Sequence, residues 1–220
     1  GLDRGDWQQI SSSVKQAMTD EVIDQAIRSL PPEVISVSGN EIGEKLKSRR
    51  DQLPEAVDQY YSLLARQVDV VGSNKHEYFE VIRLPSGNVK VTVYKKKKEG
   101  RVFLDDPLYS REFDRKETRE ICLYGLDGTD LFEVSGSAGN SILVRIIGGP
   151  GPDEIIDRSE VRGLARHTLI YDTESTSLEA GPESRDLTSD DPGINLYDRK
   201  SFQYNTYLPK PLIYYSSDDG

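Results

Sequence analysis

The spacing of apolar residues changes along the chain. Up to about residue 70 it is helical. In "TDEVIDQAIRSLPP", Val22, Ile23, Ala26, Ile27 and Leu30 recur at helical intervals. Thr19 stands where an N-cap is needed, Asp20 and Glu21 complement the first-turn dipole, and Pro31-Pro32 stops the run. "SGNEIGEKLKSRRDQL" offers Ser38 and Glu41 at capping-box spacing. "LPEAVDQYYSLLARQVDVVG" then restarts with Pro54 in a first turn and carries Val57, Tyr60, Leu64 and Val68 along one face. Three or four helices are predicted, each too one-sided to stand alone.

After Gly72 the pattern turns to strands. "HEYFEVIRL", "VKVTVYK" and "RVFL" are rich in β-branched and aromatic residues, and "PSGN" between the first two reads as a hairpin turn. From Glu120 strands recur at longer intervals as "EICLYG", "SILVRIIGG" and "HTLIYDT"; the first two run into a glycine-and-aspartate loop, the third into "DTESTS". Residues 174 to about 195 are too polar to hold a core and read as a surface excursion or linker. The last stretch holds Tyr197, Tyr204, Tyr207, Tyr214 and Tyr215, which suits packing back on a sheet or an interface.

The two loops are near twins. "LYGLDGTDLFEV" and "IIGGPGPDEIID" share G-x-x-G-x-D followed two places later by an apolar residue: Gly125, Gly128, Asp130, Phe132 against Gly148, Gly151, Asp153, Ile155. Similar loops on successive strands are what a parallel β-solenoid gives, with coils about 4.8 Å apart. Stacking then sets Asp130 beside Asp153, and two such carboxylates repel. Calcium would resolve this with carboxylate and backbone oxygens. Alternatively, the glycines serve positive-φ turns and each aspartate caps its own loop's amides. The expected fold class is α+β: a helical segment over 1–70, then a mainly β domain over 71–173 with hairpins and a short, β-roll-like parallel solenoid of two to three coils. Over 174–220 a polar excursion leads to the tyrosine-rich tail.

Charge narrows the partners. A formal net charge of −10 over 220 residues argues against a nucleic-acid phosphate surface. "YKKKKEG" is the one basic block; it reads as a solvated hairpin tip, with contact to anionic lipid headgroups as the alternative. The single Cys122 permits no internal disulfide and sits in an apolar run, as a buried thiol would. No run is long and apolar enough for a spanning helix, and no signal-peptide pattern opens the chain. The leading glycine and abrupt "SSDDG" end look like a cut from a longer protein.

Catalytic patterns are missing. There is no H-E-x-x-H, G-x-S-x-G, phosphate-cradling glycine loop or C-x-x-C. His76 and His167 have no partner suggested by spacing and read as strand-edge residues. Asp105-Asp106 and the acids of "REFDRKETREI" are not singled out by spacing; the latter read as a polar turn with surface charge pairs.

Two resemblances add to this. "GGPGPDEII" resembles the G-G-x-G-x-D-x-U-x calcium-binding repeat of RTX β-rolls, and "GLDGTDLFE" matches it with Leu126 at the second glycine. True β-rolls run such repeats in tandem, which these two do not. By that likeness Asp130 and Asp153 are the candidate metal ligands. Longer phrases, "LPPEVISVSGNEIGEKLKSRRDQLPEAVDQYYSLLARQVDVVGSNKHEYFEV", "REFDRKETREICLYGLDGTDLFEVSG" and "RIIGGPGPDEIIDRS", resemble the segment ahead of the barrel in BamA/TamA-type (surface-antigen family) outer-membrane proteins. That resemblance implies a periplasmic, non-catalytic scaffold or interaction domain. It would link an upstream module to an outer-membrane β-barrel of the same chain, with envelope proteins as further partners. No catalytic residue transfers with it. The alternative is a fragment of a glycan-active or phosphotransfer enzyme.

Overall fold

The computed structural model describes residues 2–195 and 197. It is α+β, with an N-terminal helical part and two sheets that combine parallel and antiparallel strands. Among the described residues no helix is long and apolar enough to cross a membrane.

Three helices form the N-terminal part: α1 (Arg4–Ala17), α2 (Asp20–Arg28) and α3 (Pro32–Leu64). Thr19 caps α2 as expected, its hydroxyl accepting the Val22 N–H at 3.3 Å. The predicted break before Pro54 is absent. Pro54 lies inside a continuous 33-residue α3, and Ser38 and Glu41 are interior residues of that helix rather than a capping box. Proline removes one helical hydrogen bond, but packing on either side of it holds α3 together. Toward the N-terminus Ile27 packs over Gly39 and Gly43, and toward the C-terminus Trp7 lies 6.0 Å from Tyr60 and 6.2 Å from Tyr61. Between them the Arg50 guanidinium donates to the Met18 carbonyl at 3.1 Å.

Helix α3 passes through Ala65 and Arg66 directly into β1 (Gln67–Val71), which occupies residues that helical spacing had claimed. From there strands alternate between two sheets. The first sheet has the order β1, β5 (Glu120–Tyr124), β7 (Leu143–Ile147), β10 (Thr168–Tyr171), β12 (Ser184–Asp186), all pairings parallel. The second runs β11 (Ser177–Glu179), β8 (Glu154–Asp157), β6 (Leu131–Ala138), β2 (Glu77–Arg83), again parallel, with a short β9 (Glu160–Val161) against β6. Two antiparallel strands, β3 (Val89–Lys96) and β4 (Val102–Phe113), extend it beyond β2. "PSGN" is the β2–β3 turn, closed by Gly87 N–H to Leu84 O at 2.8 Å with Gly87 at φ +89°.

Alternation along each strand sends one set of side chains between the sheets. Val70, Ile121, Leu123, Val144, Ile146 and Ile170 of the first sheet meet Phe79, Val81, Phe132, Val134 and Ile155 of the second. Phe79 stacks on Phe132 with ring centres 4.5 Å apart. Each such side chain stabilises the fold by about 1.5–3 kcal/mol. Cys122 is buried as predicted; alternating with Ile121 and Leu123, it faces away from this core.

The polar stretch after residue 173 is not a linker. It contributes β11 and β12 to the two sheets, then a short α4 (Pro192–Asn195). Tyr197 lies against Tyr124, ring centres 4.6 Å apart. The remaining tail tyrosines fall outside the described residues.

Candidate functional site

The turns that carry the chain from the first sheet to the second lie side by side. Register aligns Tyr78 with Leu131, Leu131 with Glu154, and Glu154 with Ser177. The preceding residues, Glu77, Asp130, Asp153 and Thr176, therefore form one column, which brings the two sequence-selected aspartates together. Each reaches an adjacent turn rather than its own. Asp130 Oδ1 accepts the Glu77 N–H at 2.7 Å, and Asp153 Oδ1 accepts the Asp130 N–H at 2.7 Å. At the head of the column Glu77 accepts from Ser73, through its backbone N–H at 3.1 Å and its hydroxyl at 2.5 Å. The carboxylates thus tie successive turns to one another, where the sequence suggested local caps.

Not all of the loop glycines have the expected reason. Gly125 and Gly148 do not have positive φ. They are glycine because a carboxylate fills the space of their side chain. A Cβ on Gly125 would stand 2.5 Å from both Asp130 Oδ2 and the Gly148 carbonyl oxygen, and one on Gly148 would overlap Asp153 Oδ2 and Asp172 Oδ2. Positive φ does occur at Gly128 (+140°) and Gly149 (+117°). Leu126, aligned with Gly149, adopts φ +72° as a non-glycine residue, a conformation that costs about 1–2 kcal/mol.

Asp172 was not selected from the sequence. It takes the third place in the Gly125–Gly148 position, immediately after Tyr171 as Gly148 follows Ile147. Its Oδ1 accepts the Thr173 N–H at 2.7 Å, and its Oδ2 turns back toward Gly148. The signal in the sequence was "TLIYDT": an aspartate directly after a strand where the two earlier copies have glycine. Glu77 was equally hidden, since "GSNKHE" has lost the repeat's glycines after Gly72.

Burial dominates the electrostatics. Asp130, Asp153 and Asp172 are 0%, 4% and 0% exposed, and the Oδ2 of each has no hydrogen-bond partner among the described residues. Burial pushes the Asp130 carboxyl up to about 8; the Asp153 charge adds to this and the Glu77 N–H opposes it. Burial likewise pushes Asp153 up to about 7, helped by Asp172, and Asp172 up to about 6. At neutral pH a proton held on Asp130 would relieve its repulsion with Asp153. Among the described residues no group of three or more His, Cys, Asp or Glu is arranged to hold a metal ion.

A second polar cluster closes the opposite end of the second-sheet strands. Arg83 is 1% exposed, yet all five of its N–H donors have partners. Nε donates to Ser159 Oγ at 3.0 Å, Nη1 to Ser141 Oγ and Ile142 O at 2.9 Å each, and Nη2 to His167 O at 2.8 Å and Thr168 Oγ1 at 2.9 Å. Burial lowers its pKa, while Asp157 and Glu183 oppose that. Asp157 accepts from Ser159 N–H and Oγ–H and from Ser184 Oγ–H at 2.7–2.8 Å. Sequence reasoning missed this cluster, because its members are scattered and share no motif.

The remaining candidates have structural partners or lie in solvent. His76 Nδ1 accepts the Thr129 N–H at 2.9 Å, and His167 Nδ1 lies 3.1 Å from Glu183 Oε2. Asp105 and Asp106 are exposed on β4. Within the "REFDRKETREI" turn Glu117 pairs outside it, accepting from Arg4 Nε at 2.8 Å and the Tyr61 hydroxyl at 3.2 Å. Comparison with protein-family models, curated proteins and solved structures finds no match for this chain.

Proposed function

We propose that this chain is a non-catalytic scaffold: a short β-solenoid carrying a rigid helical arm that spaces an upstream module from a downstream one. The observation that carries the reading is the run from α3 into β1. A 33-residue helix spans about 50 Å at 1.5 Å per residue, and only Ala65 and Arg66 separate it from the first strand. Glu117 at the β4–β5 turn fastens the base of the arm through Arg4 and Tyr61, and Arg4 also pairs with Asp58 at 2.8 Å. A solenoid is supported by strands that alternate between two sheets and pair in parallel within each. The buried acids support a structural role, since side chains 0–4% exposed present no surface to an organic substrate.

The sequence resemblance extends this proposal to the periplasm, ahead of an outer-membrane barrel in the same chain. Expression with the reading frame beyond Gly220 in a Gram-negative host tests it. Recovery in the outer-membrane fraction, with heat-modifiable gel mobility from a β-barrel, is the expected result. Recovery in the cytosol, or a frame that ends at Gly220, overturns the placement.

Calcium is a second proposal, favoured by the unpartnered Oδ2 atoms of Asp130 and Asp153. Thermal melts with millimolar calcium and with chelator test it, and equal melting temperatures overturn it.

A further inference from the structure

We propose that the β3–β4 hairpin is a finger that docks on membrane surfaces bearing anionic phospholipid headgroups. The proposal does not rest on the arm-and-spacer reading. Its first support is charge segregation. In a chain of net charge −10, residues 95–101 carry five basic side chains (Lys95, Lys96, Lys97, Lys98, Arg101) against one acid, Glu99. Lys96 is held against the body, its Nζ donating to Thr129 O at 3.0 Å. Lys95, Lys97, Lys98 and Arg101 are exposed around a tight turn, where Gly100 N–H donates to Lys97 O and Lys97 N–H to Arg101 O, each at 2.8 Å.

The second support is the apolar surface on the same finger. Tyr94 pairs with Pro107 and Lys96 with Val102, so a single residue of β3 faces four of β4, 103–106. Such a bulge throws side chains out of the ladder. It leaves Phe103 37% and Leu104 59% exposed, with Leu108 at 50% just beyond. The Arg101 guanidinium sits 5.3 Å over the Phe103 ring, joining the cationic and apolar parts. Cations flanking exposed phenylalanine and leucine match a bilayer interface, which takes apolar side chains below its headgroups and attracts bases above them. A polynucleotide would match the cations but leave the leucines without a role. The nearby acids weaken the patch without cancelling it: Glu99 faces Lys97 at 3.8 Å, and Asp105 and Asp106 lie on the bulge.

Co-sedimentation with vesicles tests the proposal. The probes are phosphatidylcholine vesicles with and without about 30 mol% phosphatidylglycerol at low salt. Sedimentation only with the anionic vesicles is expected, weakening steeply as salt screens the charges. Lys95→Glu/Lys97→Glu/Lys98→Glu should lower partitioning about a hundredfold or more, since each basic residue near an anionic surface contributes about fivefold. Phe103→Ser/Leu104→Ser should lower it about tenfold. The substituted side chains are all solvent-exposed, and the salt series on the unaltered chain stands as a test even if a variant fails to fold. Equal binding to both vesicle types, no binding to the anionic ones, or an unchanged lysine variant overturns the proposal. So does binding to heparin or DNA without binding to vesicles.

Discussion

Replacing Asp130 with asparagine should stabilise the protein at neutral pH and leave it no better off in acid. Asp130 is pushed from its ordinary 3.8 up to about 8. Below pH 3.8 the carboxyl is protonated in both folded and unfolded chains and adds no pH dependence. Between 3.8 and about 8 the unfolded chain has released the proton and the folded chain keeps it, so folding stability falls by about 1.4 kcal/mol per pH unit. By pH 7 the accumulated loss is about 4 kcal/mol. Asparagine does not titrate and removes that loss. Its oxygen can still accept the Glu77 N–H, and its NH₂ would take the place of Oδ2 beside Gly125. A poorer hydrogen-bond fit returns about 1–2 kcal/mol, leaving a net gain of about 2–3 kcal/mol at pH 7. Urea unfolding of both proteins at several pH values between 4 and 8, with chelator present, measures the difference. A constant difference across that range, or a loss of stability at pH 7, would refute the reasoning. A loss confined to calcium-containing buffer would point to a metal on Asp130.

The same geometry fixes three further outcomes. Gly148→Ala drives a methyl group into the carboxylates of Asp153 and Asp172; a loss of about 1–3 kcal/mol is expected in urea unfolding, while Gly139→Ala, with open space around it, should lie within about 0.5 kcal/mol of the parent. Arg83→Lys abandons the planar five-donor arrangement and leaves buried acceptors unpaired, so a loss of about 3–5 kcal/mol is expected in the same assay. A double-mutant cycle on Arg4→Ala and Glu117→Ala should give a coupling of about 0.5–1 kcal/mol, as for a part-exposed pair. Faster hydrogen exchange in α1 than in the β core should accompany the loss of either side chain.

The helices and central strands were legible because their signal is local. The apolar spacing of "DEVIDQAIR" and the β-branched runs "VKVTVYK" and "SILVRII" specify their elements without reference to the rest of the chain. The twin loops were legible too, as two copies of one short pattern. The breaks in these readings have a common origin. Pro54 looks like a helix start in a local window, yet packing by Trp7, Arg50 and Ile27 on either side keeps α3 continuous. "SLE" and "SRD" lack any apolar pattern and become strands because their backbones pair with β8 and β10.

By itself the sequence determined that helices give way to strands near residue 70, which central segments have an apolar side, and that Asp130 and Asp153 hold equivalent positions. A residue's partners across the fold were beyond it, because parallel pairing joins segments sixteen or more residues apart and depends on register. Only the tertiary structure placed Glu77 at the head of the acid column, turned the Asp172 carboxylate back over Gly148, and led the Arg83 guanidinium to Ser159, Thr168 and two carbonyls. It also decided why the repeat needs its glycines. In a string of letters, a glycine that permits positive φ and one that leaves room for a neighbour's carboxylate look the same. Space distinguishes them: at Gly125 and Gly148 the missing Cβ is the place where the buried carboxylates lie.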